Sequence, residues 1–403
     1  MDKLALHGGQ RSHDGPWPAW PICEDRDVER ITEVTRSGKW GVGGDIVPEF
    51  ERRFAEWVGV EHCTCVTSGT TALEVALLAL HIGPGDEVIV PPYTFIATAS
   101  SALYVGAVPV FADIDAETFC IDPAKVEEAI TDRTKAIIPV HMGGNPCDMD
   151  AINEIAERHD LSVIEDCAQA HGAEWKDRRV GSLGHVSAFS FQVSKNIPAG
   201  EGGAVCTNDR EVAERVWSIH NCGRVPEGAW YQHNVLGWNL RMTQFQAAVL
   251  LGGLERVEEH MKLRDANAAH LSQRLAEIAG LTPVRNTPGA TRNAYHLYMS
   301  RYDAAGFDGL PRSSFVEAMR AEGVPLSTGY NPLYKSPAIV EASPVDYANV
   351  RCPVCERICY DEGLWLPQNV LLASQSDMDD IADAALKVQR NVSALLAAAS
   401  VSQ

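Results

Sequence analysis

One lysine sits in a polar, glycine-rich connection, Gln192-Val193-Ser194-Lys195-Asn196-Ile197-Pro198-Ala199-Gly200-Glu201-Gly202-Gly203, between two short apolar runs, Val186 to Phe191 and Ala204 to Cys206. Loops held by rigid strands are where chemistry tends to sit. Partial withdrawal from water favours the neutral amine, a nucleophile toward carbonyl carbon. Taken alone, the stretch reads equally well as a surface lysine on a hairpin. Ser68-Gly69-Thr70-Thr71 stands between a strand-like run and a helical repeat, Leu73, Ala76, Leu77 and Leu80. The open amides and partial positive charge of a helix start suit a phosphate, although a plain Ser/Thr cap would use the same residues. Asp166 follows the apolar strand Leu161 to Ile164, where an acid meets a bound ligand or caps a helix. Phe95 lies just beyond the buried strand Asp86 to Pro91 and offers an aromatic face.

An anion site at Gly69, Thr70 and Thr71, a stacking ring at Phe95, a carboxylate at Asp166 and an amine at Lys195 are together what pyridoxal phosphate requires. In that arrangement Asp166 keeps the pyridine nitrogen protonated. Lys195 binds the cofactor aldehyde, is displaced by the incoming amine, and then carries a proton as base and acid.

The elements that must position these groups alternate strand and helix from about Val47 to Glu258, which argues for a largely parallel sheet covered on both faces. The expected fold class is α/β. Residues 1–48, rich in Gly, Pro and Trp, read as an N-terminal arm ending in a tight glycine turn near the mouth of the site. Residues 49–260 read as the large cofactor-binding domain, and 261–403, where the alternation is lost, as a smaller α+β domain. A hydrophobic content of 45% with 22% charged residues is that of a globular chain. Its 34 basic against 54 acidic residues leave a net charge of −20, which argues against a nucleic-acid partner. No run approaches a membrane span and the N-terminus lacks the apolar core of a signal peptide, so a cytoplasmic location is expected. Eleven cysteines, mostly in apolar runs, read as reduced thiols; Cys352, Cys355 and Cys359 have metal-like spacing without a second pair, and no metal is expected.

Across nearly its whole length the sequence resembles the DegT/DnrJ/EryC/StrS family of pyridoxal-phosphate aminotransferases. The resemblance is carried by Phe50-Glu51, Phe54-Ala55, Ser68-Gly69-Thr70, Glu165-Asp166-Cys167-Ala168-Gln169-Ala170-His171-Gly172, Phe189-Ser190-Phe191, Ser194-Lys195-Asn196, Gly200-Glu201-Gly202-Gly203 and Asn239-Leu240-Arg241-Met242. It implies the aspartate-aminotransferase-like fold type I. It also implies that Thr70, Thr71 and Ser190 hold the phosphate, Phe95 stacks on the ring, Asp166 meets the ring nitrogen and Gln169 the cofactor's hydroxyl side. Asn239 would reach the phosphate held by a neighbouring subunit, so a homodimer with shared active sites is expected. Lys195 stands where dehydratase members carry histidine, which favours transamination.

Members acting on nucleotide-linked keto sugars show a His-Tyr…Pro-Leu-His segment, whereas this chain reads Gly329-Tyr330-Asn331-Pro332-Leu333-Tyr334. Val140-His141-Met142, His220 to Arg224 and Leu364 to Leu372 resemble instead the branch that aminates keto-cyclitols in aminoglycoside pathways, which also includes aminohydroxybenzoate synthase. The implied acceptor is a keto-cyclitol such as scyllo-inosose or 2-deoxy-scyllo-inosose, with an amino acid, L-glutamine, as donor. Arg224 and Tyr334 are candidate substrate contacts, each equally readable as structural. The alternatives are a nucleotide-linked keto-sugar aminotransferase and a 3-amino-5-hydroxybenzoate synthase-like enzyme; a regulatory protein that merely holds the cofactor is disfavoured by the acidic charge.

Overall fold

In a computed structural model describing residues 3–401, the alternating segments form a seven-stranded sheet; positions 1–2 and 402–403, at the ends of the arm and of the last segment, lie outside it. Its strands are β1 (His62–Val66), β2 (Glu87–Val90), β3 (Val108–Phe111), β4 (Thr134–Ile137), β5 (Ser162–Asp166), β6 (Val186–Ser190) and β7 (Gly203–Thr207). They lie in the order β1-β7-β6-β5-β4-β2-β3. Neighbours from β6 to β3 pair in parallel, while β7 runs antiparallel to both β6 and β1. The run Val88-Ile89-Val90 is wholly buried, as a strand covered on both faces requires. Among the described residues no helix is long and apolar enough to cross a membrane.

Two helices set the rear of the site. In α1 (Ile46–Val58), Phe50, Phe54 and Val58 are buried on one face. Phe54 meets Phe189 and Phe191 edge-on at 5.0 and 5.4 Å, so the two phenylalanines flanking Ser190 are clamped from behind. In α2 (Gly69–Ala79), Ser68 and Thr71 form a reciprocal capping box that fixes where the helix begins. Gly203 has no room for a side chain, because a Cβ there would collide with the Ser68 carbonyl; β7 can therefore lie directly against that helix start.

The second half of the chain builds its own core. A three-stranded antiparallel sheet of β8 (Leu281–Pro283), β9 (Leu297–Tyr302) and β10 (Gly363–Pro367) packs with Leu271, Phe307, Phe315 and Ile381. A 33-residue helix, α3 (Gln244–Ala276), runs unbroken through residues 260 and 261 and lends side chains to the cores on both sides. The C-terminal helical stretch breaks at Asn391 into two helices. Within the expected arm, Asp25–Ser37 is helical, which its sparse apolar pattern did not announce. What holds it is ionic: Arg256 of α3 pairs with the buried Asp27 at 2.9 Å, and Arg30 with Glu255 at 2.6 Å. The edge strand β3 is covered by a distant segment, with Tyr347 donating its hydroxyl to the Pro109 carbonyl at 2.7 Å.

Phe54 is fully buried at the junction of α1 with β6. Phe54→Ala is expected to lower unfolding free energy by about 3–5 kcal/mol, read from urea melts. A change below about 1 kcal/mol would show that the clamp behind Ser190 is not structural.

Candidate active site

A cavity of about 590 Å³ opens where the carboxyl ends of the parallel strands meet β9 and β10. Ser68, Gly69, Thr70, Phe95, Thr98, Asp166, Gln169, Ser190, Lys195, Glu201, His296, Tyr330 and Trp365 line it. Most of the residues singled out in the sequence are thus brought together from segments more than a hundred positions apart.

Asp166 ends β5, only 4% exposed. Its Oδ2 accepts from the Thr98 hydroxyl at 2.8 Å and its Oδ1 from the Ala168 amide at 3.1 Å. Burial pushes the carboxyl above its ordinary range, against the pull of Thr98, Ala168 and the charge of Lys195. The strand end itself is pinned by the preceding residue. Glu165, fully buried, accepts from the amides of Gly181, Leu183 and Gly184 at 2.7–2.8 Å and pairs with His141 Nε2 at 3.1 Å. The Cys147 amide donates to His141 Nδ1, which places the imidazole proton on the nitrogen facing Glu165.

Lys195 comes from the connection between β6 and β7. The turn is held by Asn196, whose amide donates to the Ala294 carbonyl at 2.7 Å, and by Val193, whose backbone amide reaches the Gly200 carbonyl. Burial lowers the Lys195 pKa to about 8, with Asp166 acting in the opposite sense. Its ε-amine lies 3.5 Å from His296 Nε2.

At the far wall, the Ser68 side chain and carbonyl engage the amides of Thr71 and Ala72. The first-turn amides of Gly69 and Thr70 have no intrahelical acceptor and border the cavity. A Cβ on Gly69 would lie 2.6 Å from Ser190 Cβ, so the cradle exists only because that residue is glycine. Gln169 accepts from the Gly143 amide at 2.9 Å and donates to the Tyr330 hydroxyl at 3.2 Å. Phe95, 56% exposed, stands at the mouth.

Four of the expected residues lie elsewhere. Thr71 directs its hydroxyl into the capping box and towards Thr67, not into the cavity. Asn239, expected to serve a neighbouring subunit, lines a separate depression with Asn221, Arg241 and Gly41 to Gly44, the glycine turn expected near the mouth of the site. Arg224 stacks its guanidinium on Trp230 at 4.1 Å and bonds Asn221. Tyr334 is corrected outright: it is 2% exposed, its hydroxyl donates to Glu356, and it accepts from the Cys352 amide at 3.3 Å, so no part of it faces the cavity. Tyr330, four positions earlier, takes the wall position, packed on Trp365 at 4.5 Å. Thr98, His296, Tyr330 and Trp365 escaped the sequence reading. A threonine on the helix after Phe95, a single histidine and two aromatics in separate segments carry no signal until the chain folds.

The profile of the DegT/DnrJ/EryC1/StrS aminotransferase family matches residues 21–385. The chain belongs to that family. It is 40% identical over 416 residues to the L-glutamine:2-deoxy-scyllo-inosose aminotransferase of Streptoalloteichus tenebrarius, covering 96% of this chain and 98% of that one. A second protein of that organism, provisionally named an L-glutamine:3-amino-2,3-dideoxy-scyllo-inosose aminotransferase, is 42% identical, with 98% and 99% covered. Among solved structures, 3-amino-5-hydroxybenzoic acid synthase superposes with a TM-score of 0.88 at 37% identity, over 93% of this chain and 98% of that one. The aminotransferase is thus fold type I α/β, with its mostly parallel sheet placing the cavity at the strand ends.

With a depressed pKa, Lys195 is charged below and neutral above about 8. In the cofactor-free aminotransferase its reaction with an amine-directed reagent, followed by peptide mass, should rise through a midpoint near pH 8. A midpoint at the ordinary 10.5 would mean that the amine is not withdrawn from water.

Proposed function

We propose that this chain is a pyridoxal-phosphate-dependent aminotransferase that moves the amino group of L-glutamine onto a keto-cyclitol such as scyllo-inosose or 2-deoxy-scyllo-inosose. The observation that carries it is the meeting, in one cavity, of a buried lysine, a buried aspartate and a helix start with free amides. These residues fit the cofactor. The close approach of Gly69 to Ser190, which leaves no room for a Cβ, brings the amides of Gly69 and Thr70 and the hydroxyls of Thr70 and Ser190 to one edge of the cavity, where they suit a phosphate. Asp166 would face the ring nitrogen, Gln169 the ring hydroxyl, and Phe95 the ring face.

When bound, the cofactor supplies a covalent carbonyl for amines and an electron sink for the substrate carbanion. The chain supplies the rest. Asp166, oriented by Thr98 and Ala168, would hold a proton on the ring nitrogen; a neighbouring cation partly opposes the burial that raises its pKa. Lys195, neutral in a substantial fraction near pH 8, would hold the cofactor covalently and, as a free amine, would move a proton to and from the substrate carbon. The Tyr330–Trp365 wall and the polar groups of Gln169, Gln192, Ser194 and Glu201 border the space left for substrate.

The acceptor follows from the relatives and from this lining. A polyhydroxylated ring is neutral and is recognised by hydrogen-bonding groups, which the cavity has. The charge of a nucleotide diphosphate is commonly met by Arg or Lys, and among the described residues lining the cavity the one cationic side chain is Lys195.

We further propose three units: the arm 1–48, a cofactor-binding domain 49–260 and a smaller domain 261–403, assembled as a homodimer. Trp230, Tyr231, Leu236 and Trp238 are exposed beside the depression that holds Asn239, an apolar surface larger than scattered side chains need. Asn239 would complete the phosphate site of the partner.

Three experiments test these readings. Titration with glutamine and then with a keto-cyclitol or a nucleotide-linked keto sugar should discharge the aminated cofactor with the cyclitol; a response to the nucleotide sugar alone would overturn the acceptor. Lys195→Ala should abolish covalent cofactor attachment and lower turnover by at least about 10³-fold, measured by borohydride trapping and by product formation; trapping on the variant would overturn the assignment. For the shared site, Lys195→Ala and Asn239→Ala chains are each expected to be impaired, but mixed and re-annealed they should regain about a quarter of wild-type activity, since half the dimers then hold one intact site. No recovery on mixing would place Asn239 outside the partner's site.

A further inference from the structure

We propose that His296 is a positioning residue for Lys195, its ring Nε2 receiving the ε-amine whenever that amine is not covalently engaged; this rests on the reading of Lys195 given above.

The contact is direct. Nζ lies 3.5 Å from Nε2, the outer edge of hydrogen-bond reach, and His296 lines the cavity at only 7% exposure. Its other nitrogen, Nδ1, is buried and has no hydrogen-bond partner among the described residues. A histidine kept for packing normally has its buried nitrogens paired. Among the described residues the ring's one side-chain bond is to the lysine.

The backbone is arranged around that contact. Tyr295, the preceding residue, has φ of +46°, a left-handed conformation that a bulky side chain rarely adopts. Its amide is held by Asn293 Oδ1 at 2.8 Å, and the Asn196 amide fastens the lysine's own turn to the Ala294 carbonyl at 2.7 Å. The segments that carry the lysine and the histidine are thereby tied to each other. A backbone outlier retained next to a reactive group points to function.

The charges around the pair are consistent with a neutral acceptor. Burial first, and then Lys195 itself, His171 and Arg264, disfavour an imidazolium at His296, while Asp166 faces the lysine from β5. The ring therefore keeps a lone pair for an amine proton. A lysine released during the reaction has four rotatable bonds in its stem. An acceptor on one side leaves the amine's lone pair turned toward the cavity, where a displacement of about 1 Å would cost on the order of 100-fold in rate.

His296→Phe keeps the ring's shape without its nitrogen, while His296→Gln can place an amide oxygen where Nε2 was. With His296→Phe, cofactor attachment on Lys195 is expected to match wild type. Its kcat should fall about 10- to 100-fold with KM for donor and acceptor within about threefold. In the cofactor-free protein, the pH midpoint for Lys195 labelling should fall, because an apolar neighbour favours the neutral amine. His296→Gln should recover kcat to within about fivefold of wild type. Should the phenylalanine disturb folding, His296→Asn, too short to reach the Nε2 position, carries the same expectation. An unchanged kcat and labelling midpoint in the phenylalanine or asparagine variant would overturn the proposal while leaving the lysine assignment intact. So would a glutamine variant as impaired as they are. Wild-type protein that attaches no cofactor would instead remove the reading on which it stands.

Discussion

An ammonium and a carboxylate withdrawn into one cavity each lose hydration that their mutual attraction only partly replaces. The site depends on how the fold handles that cost. Asp166 is given two hydrogen-bond donors of its own, Thr98 and Ala168, so its charge does not rely on the lysine. Lys195 is left short of partners, and burial brings its amine within reach of neutrality, to about 8. A direct salt bridge would have locked both groups in their charged forms. Keeping each within the other's field but bonded elsewhere leaves the amine free to react and the acid free to meet a ring nitrogen.

This separation demands rigid supports on both sides. Below Asp166 the neighbouring Glu165 is enclosed by three backbone amides and His141, a charge-assisted network with little freedom to shift. Above, the connection carrying Lys195 hangs between antiparallel β6 and β7, with Phe189 of β6 and Phe191 just past its end clamped by α1. The absence of a Cβ at Gly69 and Gly203 lets β7, Ser190 and the start of α2 come close enough to share one anion cradle. Each support acts on backbone position, which is why the chemical groups themselves need few contacts.

The remaining wall is contributed by the second core. Trp365 on β10 donates to the Tyr93 hydroxyl at 2.9 Å and packs on Tyr330, joining that core to the segment after β2. Among the described residues this places aromatic and amide groups around the space left for a substrate, with Lys195 the one cationic side chain. Such a lining suits a neutral ring of hydroxyls, in keeping with the cyclitol-directed names of the Streptoalloteichus tenebrarius relatives. The protein's overall charge of −20 works against any diffuse attraction for phosphate-rich ligands, so a phosphate must be held by local backbone dipoles.

The sequence by itself determined the strand–helix alternation, the lysine in its glycine-rich turn, the acid at a strand end and the Ser-Gly-Thr-Thr helix start. Each of these is a local matter of periodicity, capping and backbone freedom, so neighbouring residues suffice to express it. Asp25–Ser37 was not legible, because its helix is held by Arg256 and Glu255, more than two hundred positions away. Thr71 looked like a phosphate ligand because capping and anion binding use the same residue types, and only the folded turn shows which one its hydroxyl serves. Tyr334 was preferred to Tyr330 on the strength of a resemblance, yet side-chain direction in an irregular segment follows from what packs against it: Glu356 draws one inward and Gln169 and Trp365 hold the other to the cavity. His296 and Thr98 became visible only when distant segments met, since a single histidine or threonine has no local pattern and acquires its meaning from the charged group that tertiary structure sets beside it.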